Sequence, residues 1–127
     1  MQEDGSPTIL VIDDAPEMLD LLKDMLTAYG FRVRAASGGR IALDVLSSES
    51  PDAILLDVDM PGMDGYEVAR RLRSEQAAGE PLCLMAVTGY GHEDARARCE
   101  AAGFDRHLVK PVHPGTLCEL LAAISGQ

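Results

Sequence analysis

Five short apolar runs alternate along this chain with longer segments of helical period. Thr8 to Ile12 is apolar and β-branched, the pattern of a central strand buried on both faces. Asp13-Asp14-Ala15-Pro16 follows, with acids at cap positions and proline in the first turn, so a helix should start there. Met18, Leu19, Leu22, Met25, Leu26 and Tyr29 recur at helical spacing until Gly30 supplies a stop. Arg32-Val33-Arg34-Ala35-Ala36 alternates as a half-exposed edge strand does. A second helix is expected from Gly38-Gly39 through Ala42, Val45 and Leu46, broken by Pro51. Ala53 to Leu56 reads as a third strand ending at Asp57, and the stretch from Asp57 to Gly65 is a loop rich in Pro, Gly and Asp.

Asp64 and Glu67 have the spacing of a capping box for a helix running through Arg73. Beyond a polar connection at Ser74 to Pro81, Leu82 to Val87 reads as a fourth buried strand. Gly91 to Ala102 reads as a helix closed by Gly103, with a small inward face of Ala95, Cys99 and Ala102. Phe104 to Val109 is the fifth strand, and Pro114 starts a last helix carrying Leu117, Leu120, Leu121 and Ile124. Five β-then-α units predict an α/β fold, a parallel sheet with five helices on both faces and right-handed crossovers. Functional groups of such sheets gather at the carboxyl ends of the strands.

Composition narrows the class. With 127 residues, 46% hydrophobic and 25% charged, the chain reads as one globular domain, its core about residues 8–124 and residues 1–7 a tail. Eleven Lys and Arg against 21 Asp and Glu leave a net charge of −10, which opposes nucleic acid or an anionic membrane as the main partner. No apolar run approaches the roughly 20 residues that span a bilayer. The opening Met1-Gln2-Glu3-Asp4 is acidic where a secretory signal is basic, so the expected location is cytoplasmic. Cys83, Cys99 and Cys118 lack metal spacing and sit among apolar neighbours, as reduced core thiols do. His92, His107 and His113 are too dispersed for a metal site.

The chemistry lies where strands end. Asp13 and Asp14 end the first strand, Asp57 the third, Thr88 the fourth and Lys110 the fifth. A parallel sheet brings all five to one rim. Singly, Asp13 or Asp14 is more often a helix cap, Lys110 a solvated charge and Thr88 a turn residue. Together they demand compensation: carboxylates about 4 Å apart repel by roughly 4 kcal/mol at an effective dielectric near 20. Carboxylates plus water suit magnesium, with manganese as the alternative. A carboxylate nucleophile, a divalent cation, an ammonium and a hydroxyl make a phosphoryl-transfer site.

At these residues the chain resembles the receiver domain of bacterial two-component response regulators. The motifs are Ile12-Asp13-Asp14, Asp57-Val58-Asp59-Met60-Pro61-Gly62-Met63-Asp64-Gly65, Val87-Thr88-Gly89 and Val109-Lys110-Pro111, in the family's order and spacing from about Thr8 to Ile124. The resemblance implies a flavodoxin-like sheet of order 2-1-3-4-5. It implies that Asp57 accepts a phosphoryl group from a phosphohistidine on a sensor kinase or its phosphotransfer domain. Asp14, Asp57 and the main-chain carbonyl of Asp59 would bind magnesium, Asp13 would hold a metal water, and Lys110 would contact a phosphoryl oxygen. The bond from Lys110 to Pro111 is cis in this family. Thr88 would move on activation, and the output surface would be the fourth helix, fifth strand and fifth helix. Tyr90 and Asp59 would flank the phosphoryl site and tune its hydrolysis.

One departure stands out. The family's aromatic switch residue, three places before the lysine, is here His107, so coupling to Thr88 is expected to become sensitive to pH. The run Gly103 to Val112 looks most like receivers of hybrid histidine kinases, which leaves a stand-alone regulator and a segment of a kinase both open. A domain of this kind catalyses only its own phosphorylation and dephosphorylation, as a monomer or a phosphorylation-dependent dimer, with its protein output unidentified. Asp57-Val58-Asp59 also fits the nucleophile motif of haloacid dehalogenase-type phosphatases, with Asp59 as acid/base. A passive, unphosphorylated adaptor is the further rival.

Overall fold

Full burial on both faces explains the three apolar runs at the centre of the sheet. In the computed structural model, the residues described are 8–38, 41, 44, 51–58, 65–75, 83–89, 93–110 and 113–124. β1 (Thr8–Ile12), β3 (Ala53–Asp57) and β4 (Cys83–Thr88) are buried almost throughout, whereas β2 (Arg32–Ala36) and β5 (Arg106–Val109) are largely open. All five pair in parallel in the order β2-β1-β3-β4-β5, which puts the two open strands at the edges. The expected fold class and strand order are those observed.

Four helices are described: α1 (Pro16–Ala28), α2 (Gly65–Glu75), α3 (Glu93–Ala102) and α4 (Pro114–Ile124). Of the helix expected after Gly38, Ile41 and Asp44 are helical and the rest lies outside the described residues. The fourth and fifth helices of the sequence reading correspond to α3 and α4.

Side chains of successive strand residues point to opposite faces, and the two cores follow that alternation. Ile9, Val11, Leu55, Met85 and Val87 pack with Leu22 and Leu26 of α1 and Leu117 and Leu121 of α4. Leu10, Ile12, Ile54, Leu56, Leu84 and Ala86 pack with Val68, Ala69 and Leu72 of α2 and Cys99 and Ala102 of α3. The sheet therefore separates an α1–α4 side from an α2–α3 side.

Helix ends differ in how far the sequence foretold them. Gly30 and Gly103 close α1 and α3 at φ +98° and +100°, a conformation that costs glycine no Cβ clash. The acids before Pro16 do not cap α1. Ala15 occupies the cap without a side-chain bond, because Asp13 Oδ1 instead accepts the Ala15 N–H at 2.9 Å in a local turn. Asp64 of the expected capping box lies outside the described residues, and Glu67 pairs with Arg70 at 3.0 Å. β5 begins two residues later than expected. Asp105 donates its N–H to the Leu84 carbonyl but turns its side chain back to accept the Leu84 N–H at 2.8 Å, doing with Oδ2 what a strand carbonyl would do.

Candidate functional site

Register decides which strand ends meet. Ile12 pairs with Leu56, so Asp13 comes level with Asp57; Asp57 pairs with Val87, one residue before Thr88. Thr88 pairs with Val109, one residue before Lys110. The Lys110 N–H donates to the Thr88 carbonyl at 2.8 Å, and the Val58 N–H donates to the Val87 carbonyl at 3.0 Å. The main chain thus ties the ends of β3, β4 and β5 together before any side chain is considered.

The side chains then converge. Asp13, Asp14 and Asp57 each offer a carboxylate oxygen within 4.8 Å of the others. Asp13 and Asp57 are buried and Asp14 is exposed, so one edge of the cluster faces water. Lys110 Nζ donates to Asp57 Oδ2 at 3.0 Å, and this pair joins residues 53 positions apart in the chain. Burial pushes the Asp13 carboxyl above its ordinary 3.8, reinforced by the charges of Asp57 and Asp14; the Ala15 N–H and Lys110 oppose the rise. Among the described residues, three carboxylates against the Lys110 ammonium leave the cluster short of positive charge.

That shortage and the oxygen-only donor set fit magnesium. The three carboxylate oxygens, all within 4.8 Å of one another, would be its protein ligands, with waters completing the shell. Beneath the acids the wall is apolar: Met18 and Leu22 of α1 and Val11, Leu55 and Val87 of the sheet enclose about 10 Å³, room for roughly one water. An apolar floor strengthens the charge interactions above it.

Thr88 is fully buried and extends the row of Leu84 and Ala86 on the α2–α3 side. His107 pairs in register with Ala86 and belongs to that side too. Its Nε2 is buried without a hydrogen-bond partner among the described residues. Asp59, Tyr90, His92 and Pro111 lie outside the described residues, as does the expected cis bond. Of the expected thiols, Cys99 is buried and Cys83 is half-buried and free; burial and the charge of Asp105 push Cys83 up to about 11.

The sequence reading missed a second polar network below the site. Arg73 Nε donates to the Gly103 carbonyl at 2.8 Å and its Nη2 to Asp105 Oδ2 at 2.5 Å. Near the other end of α2, the Arg98 guanidinium of α3 lies 4.2 Å from the Tyr66 ring centre, and Tyr66 meets Phe104 edge-on at 6.5 Å. No short-range pattern announces contacts across 30 or more residues, although Tyr66 and Arg73 share a helix face at i, i+7.

The doubly wound parallel sheet gathers three carboxylates and the Lys110 ammonium at its carboxyl rim, groups that can together handle a cation and a phosphoryl group. The response regulator receiver domain profile matches residues 9–122, and the chain belongs to that family. It is 40% identical over 121 residues to a 14.6 kDa protein of Leptolyngbya boryana, covering 95% of this chain and 92% of that protein. It is also 40% identical over 114 residues to the sensor histidine kinase RcsC of Salmonella typhimurium, covering 90% of this chain but 12% of the kinase. Among solved structures, the response regulator TrrA of Thermotoga maritima in complex with Mg2+-BeF superposes with a TM-score of 0.80. The identity is 30%, over 93% of this chain and 98% of that one.

This family membership does not support the phosphatase alternative, and Asp57 ends the third strand in chain order, not the first. The chain is a phosphoacceptor signalling domain of the two-component type. Among the described residues, no helix is long and apolar enough to cross a membrane.

Proposed function

We propose that Asp57 is the phosphoacceptor and that Asp13, Asp14 and Asp57, with Asp59, hold magnesium at the rim. The observation that carries this reading is the 3.0 Å contact from Lys110 to Asp57 inside a cluster of three carboxylates. One Asp57 oxygen attacks phosphorus as the bond from phosphorus to the donor's leaving group breaks. That group departs with the electron pair: an imidazole nitrogen from a phosphohistidine, a carboxylate from acetyl phosphate. Bound magnesium supplies neutralisation of the phosphoryl charge. Lys110 passes from the carboxylate to a phosphoryl oxygen, and the Thr88 hydroxyl donates to another. His107, on the Thr88 side of the sheet, carries the change toward α3, β5 and α4.

The donor is a sensor histidine kinase or its phosphotransfer domain, and the domain acts in the cytoplasm on a protein output, as a monomer or a phosphorylation-dependent dimer. Catalysis is confined to its own phosphorylation and dephosphorylation. The likeness to RcsC supports a receiver within a histidine kinase.

Intact-mass measurement after incubation with acetyl phosphate and magnesium tests the reading. The wild type is expected to gain one phosphoryl group and Asp57→Asn none. A wild type that gains nothing supports the passive adaptor instead, and turnover of phosphomonoesters would return the enzyme reading.

A further inference from the structure

We infer that Gly65 is a positioning residue for the Asp57 reaction: its missing side chain sets where the main chain following Asp57 can lie. The inference rests on Asp57 being the phosphoacceptor. Gly65 opens α2, and a Cβ built there would stand 2.6 Å from the Val58 Cα and 3.0 Å from the Val58 Cβ and Cγ1. Glycine is not required by backbone conformation, because the positive-φ glycines among the described residues are Gly30 and Gly103. It is required by contact, and the nearest atom is backbone, which cannot rotate away as a side-chain tip can.

Val58 is the residue bonded to Asp57, and it is held from two other directions. Its N–H donates to the Val87 carbonyl at 3.0 Å, one residue before Thr88. Its side chain is buried in the core that also contains Tyr66, Val68 and Ala69 of α2. The start of α2 therefore abuts the link joining the acceptor strand to the Thr88 strand. A methyl at position 65 must displace that link or lift the helix start. Displacement moves Asp57 relative to Lys110 and Thr88, and misplacements of about 1 Å cost reactions on the order of 100-fold. Gly38 and Gly115, with nothing within 4 Å of a built Cβ, carry no such constraint.

The test compares Gly65→Ala with wild type for the rate of Asp57 phosphorylation by acetyl phosphate, each at its own saturating magnesium, with melting temperature read alongside. At least a tenfold slower rate in a folded Gly65→Ala is expected, with Gly115→Ala unchanged. Leu72→Ala, which opens a cavity in the same helix away from the site, is expected to lower the melting temperature and leave the rate within about twofold. A Leu72→Ala rate falling as far as that of Gly65→Ala overturns the inference, because loss of stability then explains both.

A double variant, Val58→Gly with Gly65→Ala, removes the two side-chain clashes and leaves the main-chain one. It is expected to stay slow. Recovery of the wild-type rate overturns the inference, and so does failure of Gly65→Ala itself to fold, which makes Gly65 a requirement of folding alone. Wild-type protein that takes up no phosphoryl group disproves the acceptor reading instead, and a phosphorylated wild type matched by Gly65→Ala disproves only the positioning role.

Discussion

Asp13 shows how a single residue can be held at a cost for the sake of a site. Its carboxyl is buried beside two other acids, and its raised pKa means that the folded protein resists its ionisation. The folded state then binds protons more tightly than the unfolded state, so this residue's contribution to stability falls as pH rises from 3.8 through the raised value. Asp13→Asn keeps an acceptor for the Ala15 N–H and removes the charge. The metal-free variant is expected to be more stable than wild type at pH 7 by on the order of 1 kcal/mol, part of the repulsion of close carboxylates. Urea unfolding at a series of pH values checks this: the gain should vanish below pH 3.8. A gain independent of pH would point to packing. Cys83 illustrates the opposite case, since a thiol pushed up to about 11 is a structural side chain and a poor nucleophile.

At the scale of elements, α3 differs from its neighbours. It buries Ala95, Cys99 and Ala102, where α1 and α4 bury leucines, so apolar area holds it weakly. Polar contacts take up part of that role: Arg73 reaches the turn after α3 and Asp105, and Arg98 lies over Tyr66. Arg73→Ala leaves the Gly103 carbonyl and the Asp105 carboxylate without this partner, and is expected to cost about 1–2 kcal/mol. Lysine lacks the second donor in fixed geometry, so Arg73→Lys should recover less than half of the loss in thermal unfolding. The sequence made α3 visible through its helical period and Gly103, and its small face could be read directly. What holds that face could not. Arg73 and Asp105 lie 32 positions apart, and neither periodicity nor capping rules couple residues at that range. The α1 cap failed for a local reason: Asp13 fits a capping pattern, but its carboxylate accepts the Ala15 N–H in a turn ahead of the helix. Register is what the motifs conveyed best, because Asp13, Asp57, Thr88 and Lys110 each end a strand that is buried or paired.

For the whole molecule, the net charge of −10 has a local and a dispersed part. The acids on α1 face solvent and are screened by salt, whereas Asp13, Asp14 and Asp57 converge. A cation that binds only the folded state at 100 times its dissociation constant stabilises by about 2.7 kcal/mol. Saturating magnesium is therefore expected to raise the melting temperature by several degrees over sodium chloride of equal ionic strength, and a chelator should reverse the rise. The shift should be smaller in Asp57→Asn. An equal shift in that variant would locate the cation elsewhere on the acidic surface.

The alternation of side chains through the sheet has one more consequence. Asp13 and Asp57 continue rows that face α1 and α4, while Thr88 and His107 continue rows that face α2 and α3. The acids and the Thr88–His107 pair thus lie on opposite sides of the sheet. If Asp57 is loaded as proposed, a donor reaching the acids and a partner seated on α3 would meet different faces of the sheet.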